Sequence, residues 1–396
     1  MTAAYASAIC RGMNPRRKVA LLVETSNTYA REVLHGIHSY QRERETWSMY
    51  LTEHGRGEIL TDWLKSWKGD GIIARVVNEK IYRDILQTKL PAVDMSLGLE
   101  HSTFPRVVTD SLAATRLAAE HLLERGFTNF GYCGESRYHW SRLQSDLFAG
   151  QIRTAGHKCA TFESMGNYSR GDGWETELDA IAKWLQKLPK PVGIMACYDI
   201  RGQQVLEACR RLNIAVPDEV AVIGVHNDEL LCELCDPPLS SVIPNARRAG
   251  YEAAALLDRM MRGEKIPPQR VLLAPIGIAT RQSTDVVAVS DPQLSQVVRY
   301  IREHACEGID VGDVLKAVPM SRTSLERRFK QLLARTPLDH ILRVRINHAK
   351  ALLTTTDLPI ALISERTGFE HVEYFSVAFK RIVGDTPGRF RTLNQT

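Results

Sequence analysis

No stretch of the 396-residue chain approaches the roughly 18 consecutive apolar residues that a membrane span needs, so no membrane partner is expected. The first residues, Met1 to Arg17, lack a cationic region ahead of a long apolar core, which argues against a secretory signal. Cysteine is sparse: eight are too few and too scattered for a disulfide scaffold, and reduced thiols in the cytoplasm are expected. Cys232 and Cys235 form a lone C-x-x-C without a second pair or a paired histidine motif, so no metal is expected there. Signatures of catalysis are missing too. No G-x-G-x-x-G follows Val23, Gly131-Tyr132-Cys133-Gly134 lacks a third glycine, and neither a Walker lysine nor a G-x-S-x-G elbow occurs. Neither an enzyme nor a cofactor is therefore expected.

What the chain does have is an internal repeat in its last hundred residues. Leu325, Phe329, Lys330, Leu332, Thr336 and Pro337 recur fifty positions later as Phe375, Phe379, Lys380, Ile382, Thr386 and Pro387. Val311, Val314 and Met320 recur at Ile360, Ile363 and Phe369, one residue out of step. Each copy reads as a short helix, a turn and a longer helix with one buried stripe, the pattern of a helix-turn-helix. The intervening helix, expected over Pro337–Leu353, is a strut of about 25 Å at about 1.5 Å per residue. It would set two such units toward successive major grooves, about ten base pairs apart.

Charge follows the repeat. The net charge of +5 is mild, but residues 286–396 hold 16 Lys/Arg against 12 Asp/Glu, leaving 35 against 34 for residues 1–285. A basic excess confined to the repeat suits binding to the phosphates of double-stranded DNA, and the resemblance given below implies that this DNA is an operator. Ser321 is placed to cap the first recognition helix.

Residues 15–285 alternate β-rich apolar runs with helical patterns. Strands are expected at Val19–Val23, Met49–Leu51, Gly71–Ala74, Ala92–Met95 and Val107–Thr109, then at Asn129–Cys133, Gly193–Ala196, Ala221–Val225 and Leu272–Pro275. Helices include Tyr29–Arg42, Leu112–Arg125 and Asp199–Leu212. The alternation predicts a two-lobed, doubly wound α/β domain with a ligand between the lobes, at the carboxyl ends of the strands. Residues 1–14 are expected to be a disordered extension. Met13 is the expected functional start, because Arg16-Arg17-Lys18 leads straight into the first strand.

Two resemblances sharpen this reading. The run Ile360 to Phe369, Tyr374-Phe375-Ser376, Phe379-Lys380-Arg381 and Gly384 to Arg391 resembles the signature of the AraC/XylS transcription regulators. Gly368 fits a turn needing φ > 0, whereas Pro319 holds that place in the first copy, so that turn must be built differently. Matched to the motif, Thr323, Glu326 and Arg327 would face base edges, and Arg322, Arg328 and Lys330 would meet phosphates. In the second copy His371, Glu373, Tyr374 and Val377 take the groove-facing places, with Lys380 beside the backbone. Elsewhere such charges would simply solvate an exposed face.

Val108-Thr109-Asp110, Pro217 to Gly224, Leu239 to Val242 and Gly250 to Ala254 resemble the effector-binding core of the LacI/GalR regulators, a fold shared with periplasmic sugar-binding proteins. That sensor joined to an AraC-type reader is a rare pairing, similar to pentose-responsive activators of sugar-utilisation operons. It implies a xylose-like sugar effector, a homodimer and contact with RNA polymerase. A ligand-independent repressor and a sugar-modifying enzyme are the rival readings. Sugar hydroxyls need planar polar side chains, and sugar C–H faces need aromatic rings. The candidates at strand ends are Ser26, Asn27, Tyr29, Asp110, Trp140, Arg142, Gln144, Tyr198, Asp199, His226 and Asn227. Asp199 and Asn227 match sugar-binding positions of the resembled family, although Asp and Asn after a strand are also common helix caps. His226 and Gln144 stand where that family commonly has an acidic residue and an arginine, which leaves the sugar open.

Overall fold

The computed structural model describes residues 16–44, 47–55, 60–164, 173–285, 291–333 and 335–394. The extension 1–14 and the apolar patch Val286–Val289 lie outside the described residues.

The first lobe runs β1 (Lys18–Leu22), α1 (Thr28–Glu43), β2 (Ser48–Leu51), β3 (Gly71–Ala74), α2 (Glu79–Thr88), β4 (Ala92–Asp94) and β5 (Arg106–Thr109). The chain then crosses into the second lobe. There it forms α3 (Ser111–Leu123), β6 (Asn129–Glu135), α4 (His139–Thr154), β7 (Cys159–Ser164) and α5 (Gly173–Leu185). It continues with β8 (Val192–Ala196), α6 (Asp199–Arg211), β9 (Val220–Val225), α7 (Glu229–Leu234) and β10 (Ser240–Ile243). It returns through α8 (Ala246–Met261) and β11 (Arg270–Leu273) to the first lobe, and β12 (Gly277–Ala279) closes the second.

The first sheet has the order β11-β5-β4-β3-β1-β2, all parallel; the second has the order β12-β10-β9-β8-β6-β7, with only β12 antiparallel. Each sheet is covered on both faces, as parallel sheets must be. In the first lobe Val33, Ile37 and Leu257 pack on one side, Leu64, Ile81 and Ile85 on the other. Three crossings between the lobes, after β5, β10 and β11, make a three-strand hinge. Helices α1 and α8 touch backbone to backbone. A Cβ on Gly36 would lie 1.9 Å from the Arg247 carbonyl oxygen, and one on Gly250 would lie 2.0 Å from that of Val33.

Residues 292–394 are helical: α9 (Pro292–His304), α10 (Val311–Ala317), α11 (Arg322–Leu333), α12 (Pro337–Thr355), α13 (Ile360–Arg366), α14 (Val372–Val383) and α15 (Pro387–Asn394). Two cores result. Leu325, Phe329 and Val314 pack with α9 and with Ile341, whereas Phe369, Phe375 and Phe379 pack with Ile346 and Leu353. Helix α12 therefore serves both modules as a shared strut. Gly368 takes φ 78°, and a Cβ there would lie 2.8 Å from the Ala305 carbonyl oxygen. In the first module the turn is extended instead, with Val318 at φ −123°, ψ 95° ahead of Pro319.

Candidate functional site

The cleft between the lobes has a volume of about 810 Å³. It lies at the carboxyl ends of the strands because every crossing and strand-to-helix turn ends there. Hinge residues Thr109, Ser111 and Pro244 line it, so lobe movement reshapes it directly.

Its polar heart is an ion pair. Glu24 follows β1, Arg75 follows β3, and the parallel register that sets Leu22 beside Ala74 brings the two together. Arg75 Nη1 lies 2.7 Å from Glu24 Oε2, with the carboxylate fully buried. Glu24 Oε1 and Arg75 Nε are buried without a hydrogen-bond partner among the described residues. Burial opposes the Arg75 charge, but Glu24 beside it more than compensates and holds the guanidinium protonated. The guanidinium also sits over the Tyr29 ring, 5.3 Å from its centroid. Below the pair, Asp94 accepts from the Val76 and Ser96 amides at 3.2 and 2.9 Å, fixing the floor where Ser96 meets the cleft. Burial pushes Asp94 up to about 6, against those donors and Arg106.

Aromatic rings supply the walls. Tyr138 and Trp140 stack at 5.2 Å with 19° between planes, and Tyr29 meets His226 at 5.1 Å. His226 (φ 104°) and Asn227 (φ 51°) both lie in the left-handed region, uncommon for residues other than glycine and frequent at ligand sites.

Of the sequence candidates, Tyr29, Trp140, Gln144 and His226 line the cleft. The others do not. Asn27 and Asp110 cap α1 and α3, accepting from Ala30 and Ala113 amides at 2.9 and 3.1 Å. Ser26 is exposed, and the exposed Arg142 donates to the Ser136 carbonyl. Tyr198 donates to Glu135 at 2.5 Å. Asp199 is buried behind the cleft, accepting from Ser241 Oγ at 2.6 Å and the Asp228 amide at 2.8 Å. Asn227 accepts from Arg281 at 2.9 Å. These last two brace the β9–α7 turn that carries His226. Burial pushes Asp199 up to about 7, although both hydrogen bonds favour its charged form. Glu24, Arg75, Ser96 and Tyr138 were missed by sequence reasoning. The available signal was a pair of opposite charges, each directly following an apolar run of neighbouring strands.

The helical part presents a second surface. Ser321 accepts from the Ser324 amide at 3.2 Å and caps α11. Thr323, Glu326, Arg327 and Lys330 are exposed on the face opposite Leu325 and Phe329. Arg322 pairs with Glu326 at 3.1 Å, and Arg328 is tied to Asp291 at 2.9 Å. Arg327, Lys330 and Lys380 have no ion-pair partner among the described residues. On α14, Tyr374 and Val377 are 49% and 66% exposed, with His371 and Glu373 exposed beside them. Apolar side chains so open on a helix bounded by basic residues suit thymine methyl groups.

Residues 18–112 match the XylR N-terminal domain, residues 119–284 a periplasmic binding protein-like domain, and residues 314–392 a helix-turn-helix domain. The chain is 34% identical over 388 residues to the xylose operon regulatory protein of Escherichia coli strain K12, covering 96% of this chain and 98% of that one. The chain belongs to the xylose operon regulatory protein family. The Haemophilus influenzae member is 33% identical over 94% of this chain and 98% of its own. The solved structure of the xylose-binding transcription activator xylR aligns with a TM-score of 0.70 at 32% identity, over 96% of this chain and 99% of that one. Like the family it belongs to, the chain is a DNA-binding transcription regulator and not an enzyme. No described helix is long and apolar enough to cross a membrane.

Proposed function

We propose that this family member activates a sugar-utilisation operon in response to xylose, working in the cytoplasm as a homodimer that contacts RNA polymerase. The observation that carries the sugar response is the Glu24–Arg75 pair between aromatic walls. Glu24 Oε1 is a buried acceptor with unused capacity, and leaving such an atom unpaired costs about 1–3 kcal/mol. A sugar hydroxyl donating to Glu24 while its oxygens accept from Arg75 removes that cost, and Trp140 or Tyr138 covers the sugar's C–H face. Gln144 and His226 add further hydrogen-bonding groups from the second lobe, so the ligand bridges both lobes. On DNA, α11 and α14 enter successive major grooves, with Arg327 reading a base edge and Lys330 and Lys380 meeting phosphates.

Calorimetric titration of the full chain with xylose, arabinose, ribose and glucose tests the reading. Xylose should bind most tightly, and operator affinity should change on its addition. Absence of heat with every pentose would reject the sugar response and leave a ligand-independent regulator.

A further inference from the structure

A second cavity, of about 780 Å³, lies where the reader meets the second lobe of the sensor. Arg302 on α9 fixes this junction, 3.5 Å from Asp218 and 3.3 Å from the Asp285 carbonyl oxygen. Four arginines line the cavity, Arg125 from the sensor and Arg302, Arg335 and Arg343 from the reader, against two carboxylates, Glu124 and Asp285. Arg302 and Arg343 are engaged by Asp218 and Asp339. Arg125 and Arg335 are not: they donate to the backbone carbonyls of Thr284, His121 and Leu333, and neither has an ion-pair partner among the described residues. Two guanidinium groups without a direct ion pair thus line one cavity from different domains, where four arginines outnumber the carboxylates Glu124 and Asp285. Burial lowers Arg125 to about 10, against Asp285 and Glu124, with Arg335 adding to the fall; burial and then Arg343 lower Arg335.

A separate observation marks the same place. His340 lines the cavity at 7% exposure, and its Nδ1 is buried without a hydrogen-bond partner among the described residues. Burial and then Arg335 push its pKa down to about 3, so the ring is neutral and one tautomer offers Nδ1–H as a donor.

We propose that this junction is an anion site, taking the phosphate group of a small metabolite between Arg125 and Arg335, with Nδ1–H of His340 as a further donor. Guanidinium forks match tetrahedral oxyanions in bidentate geometry, and Arg keeps its charge when half-buried. Because the site draws on both domains, an occupant cross-links sensor to reader and fixes the orientation of α9 and α12. It therefore couples to operator binding without touching the sugar cleft.

The test uses the full chain without DNA, with inorganic phosphate as the probe and chloride at matched ionic strength as the reference. Phosphate should raise the melting midpoint saturably, and calorimetry should show one site. Arg335→Gln and Arg125→Gln should each weaken phosphate at least tenfold, Arg335→Lys less, and Arg389→Gln, at an exposed arginine elsewhere, not at all. Midpoints in chloride report folding, and should Arg125→Gln fail to fold, the partly exposed Arg335 carries the test alone. Equal stabilisation by phosphate and chloride, or undiminished phosphate affinity in Arg335→Gln, would overturn the proposal. So would an effect of Arg335→Gln seen only in the salt dependence of operator binding, which would assign these arginines to DNA phosphates instead.

Discussion

Arg75 Nη1 reaches Glu24 Oε2 at 2.7 Å, and that contact leaves Glu24 Oε1 buried and unmatched at the cleft wall. Hydrogen bonds to charged groups contribute about 1.5–3 kcal/mol. Glu24→Gln should therefore weaken xylose binding about 10- to 150-fold in calorimetry. Glu24→Ala should do more harm, because it strands a part-buried guanidinium, and losing one partner of a buried pair costs about 3–5 kcal/mol. Sugar affinity unchanged in Glu24→Gln would move the site elsewhere.

This pair also shows where sequence reading stopped. The strands of the two sheets were legible because each is a short apolar run between helical patterns, and Gly71–Ala74 has the expected ends. Three were missed. Cys159–Ser164 is an edge strand of mixed polarity, Ser240–Ile243 opens on two serines in place of an apolar run, and Gly277–Ala279 spans only three residues. In the cleft, the rings of Tyr29 and Trp140 were visible as aromatics near strand ends. Asn27, Asp110 and Asp199 carry two readings in sequence, sugar contact or helix cap, since a side chain that caps a helix or braces a turn looks the same there as one that meets a ligand. Glu24 and Arg75 become meaningful only once β1 and β3 are known to be neighbours, a fact of topology and not of local pattern.

Gly36→Ala should destabilise the sensor. Its Cβ would lie 1.9 Å from the Arg247 carbonyl oxygen, which is backbone and cannot rotate away, so α1 must separate from α8. Overpacking typically costs about 1–3 kcal/mol. Urea unfolding should show a lower midpoint, whereas Gly150→Ala, where a Cβ meets nothing within 4 Å, should not.

Asp199 predicts a pH dependence. Burial raises its folded-state value to about 7 from an ordinary 3.8. The folded state therefore holds this proton more tightly than the unfolded chain does. The stability this contributes is fully present below about pH 4 and is lost as pH rises through about 7. Asp199→Asn can still accept from the Asp228 amide and donate to Ser241, and it should flatten this stretch of the profile by a few kcal/mol at most. Parallel pH profiles for parent and variant between pH 4 and 8 would remove Asp199 as the source.

On the reader, Arg327→Ala and Lys380→Ala should differ in kind. A bidentate base contact is worth about 1–3 kcal/mol of discrimination, so losing Arg327 should relax sequence choice. Losing Lys380 should weaken operator and random DNA alike and lower the salt slope by about one. Binding measured on both DNAs across a salt series separates these outcomes, and equal weakening on both DNAs by Arg327→Ala would make it a phosphate contact.

The last prediction concerns how sugar reaches DNA. Closing the lobes rotates them about the crossings after β5, β10 and β11, and Thr109, Ser111 and Pro244 at those crossings line the sugar cleft. The reader rides on the second lobe, where Arg302 meets Asp218 and Asp285. In the proposed dimer, joined through its sensors, rotation of that lobe would change the separation of the two readers. A ligand shifts such an equilibrium only by its difference in affinity for the open and closed states. Coupling of about 1–3 kcal/mol, or about 5- to 150-fold, is typical. Linkage is reciprocal, so operator DNA must tighten xylose binding by the same factor that xylose tightens operator binding. Arg302→Ala should loosen the mechanical link, reducing the coupling while leaving each binding event measurable by itself. Operator affinity measured with and without saturating xylose, and xylose affinity with and without operator, give both sides of the cycle. Equal operator affinities in a protein shown to bind xylose would end the hinge mechanism.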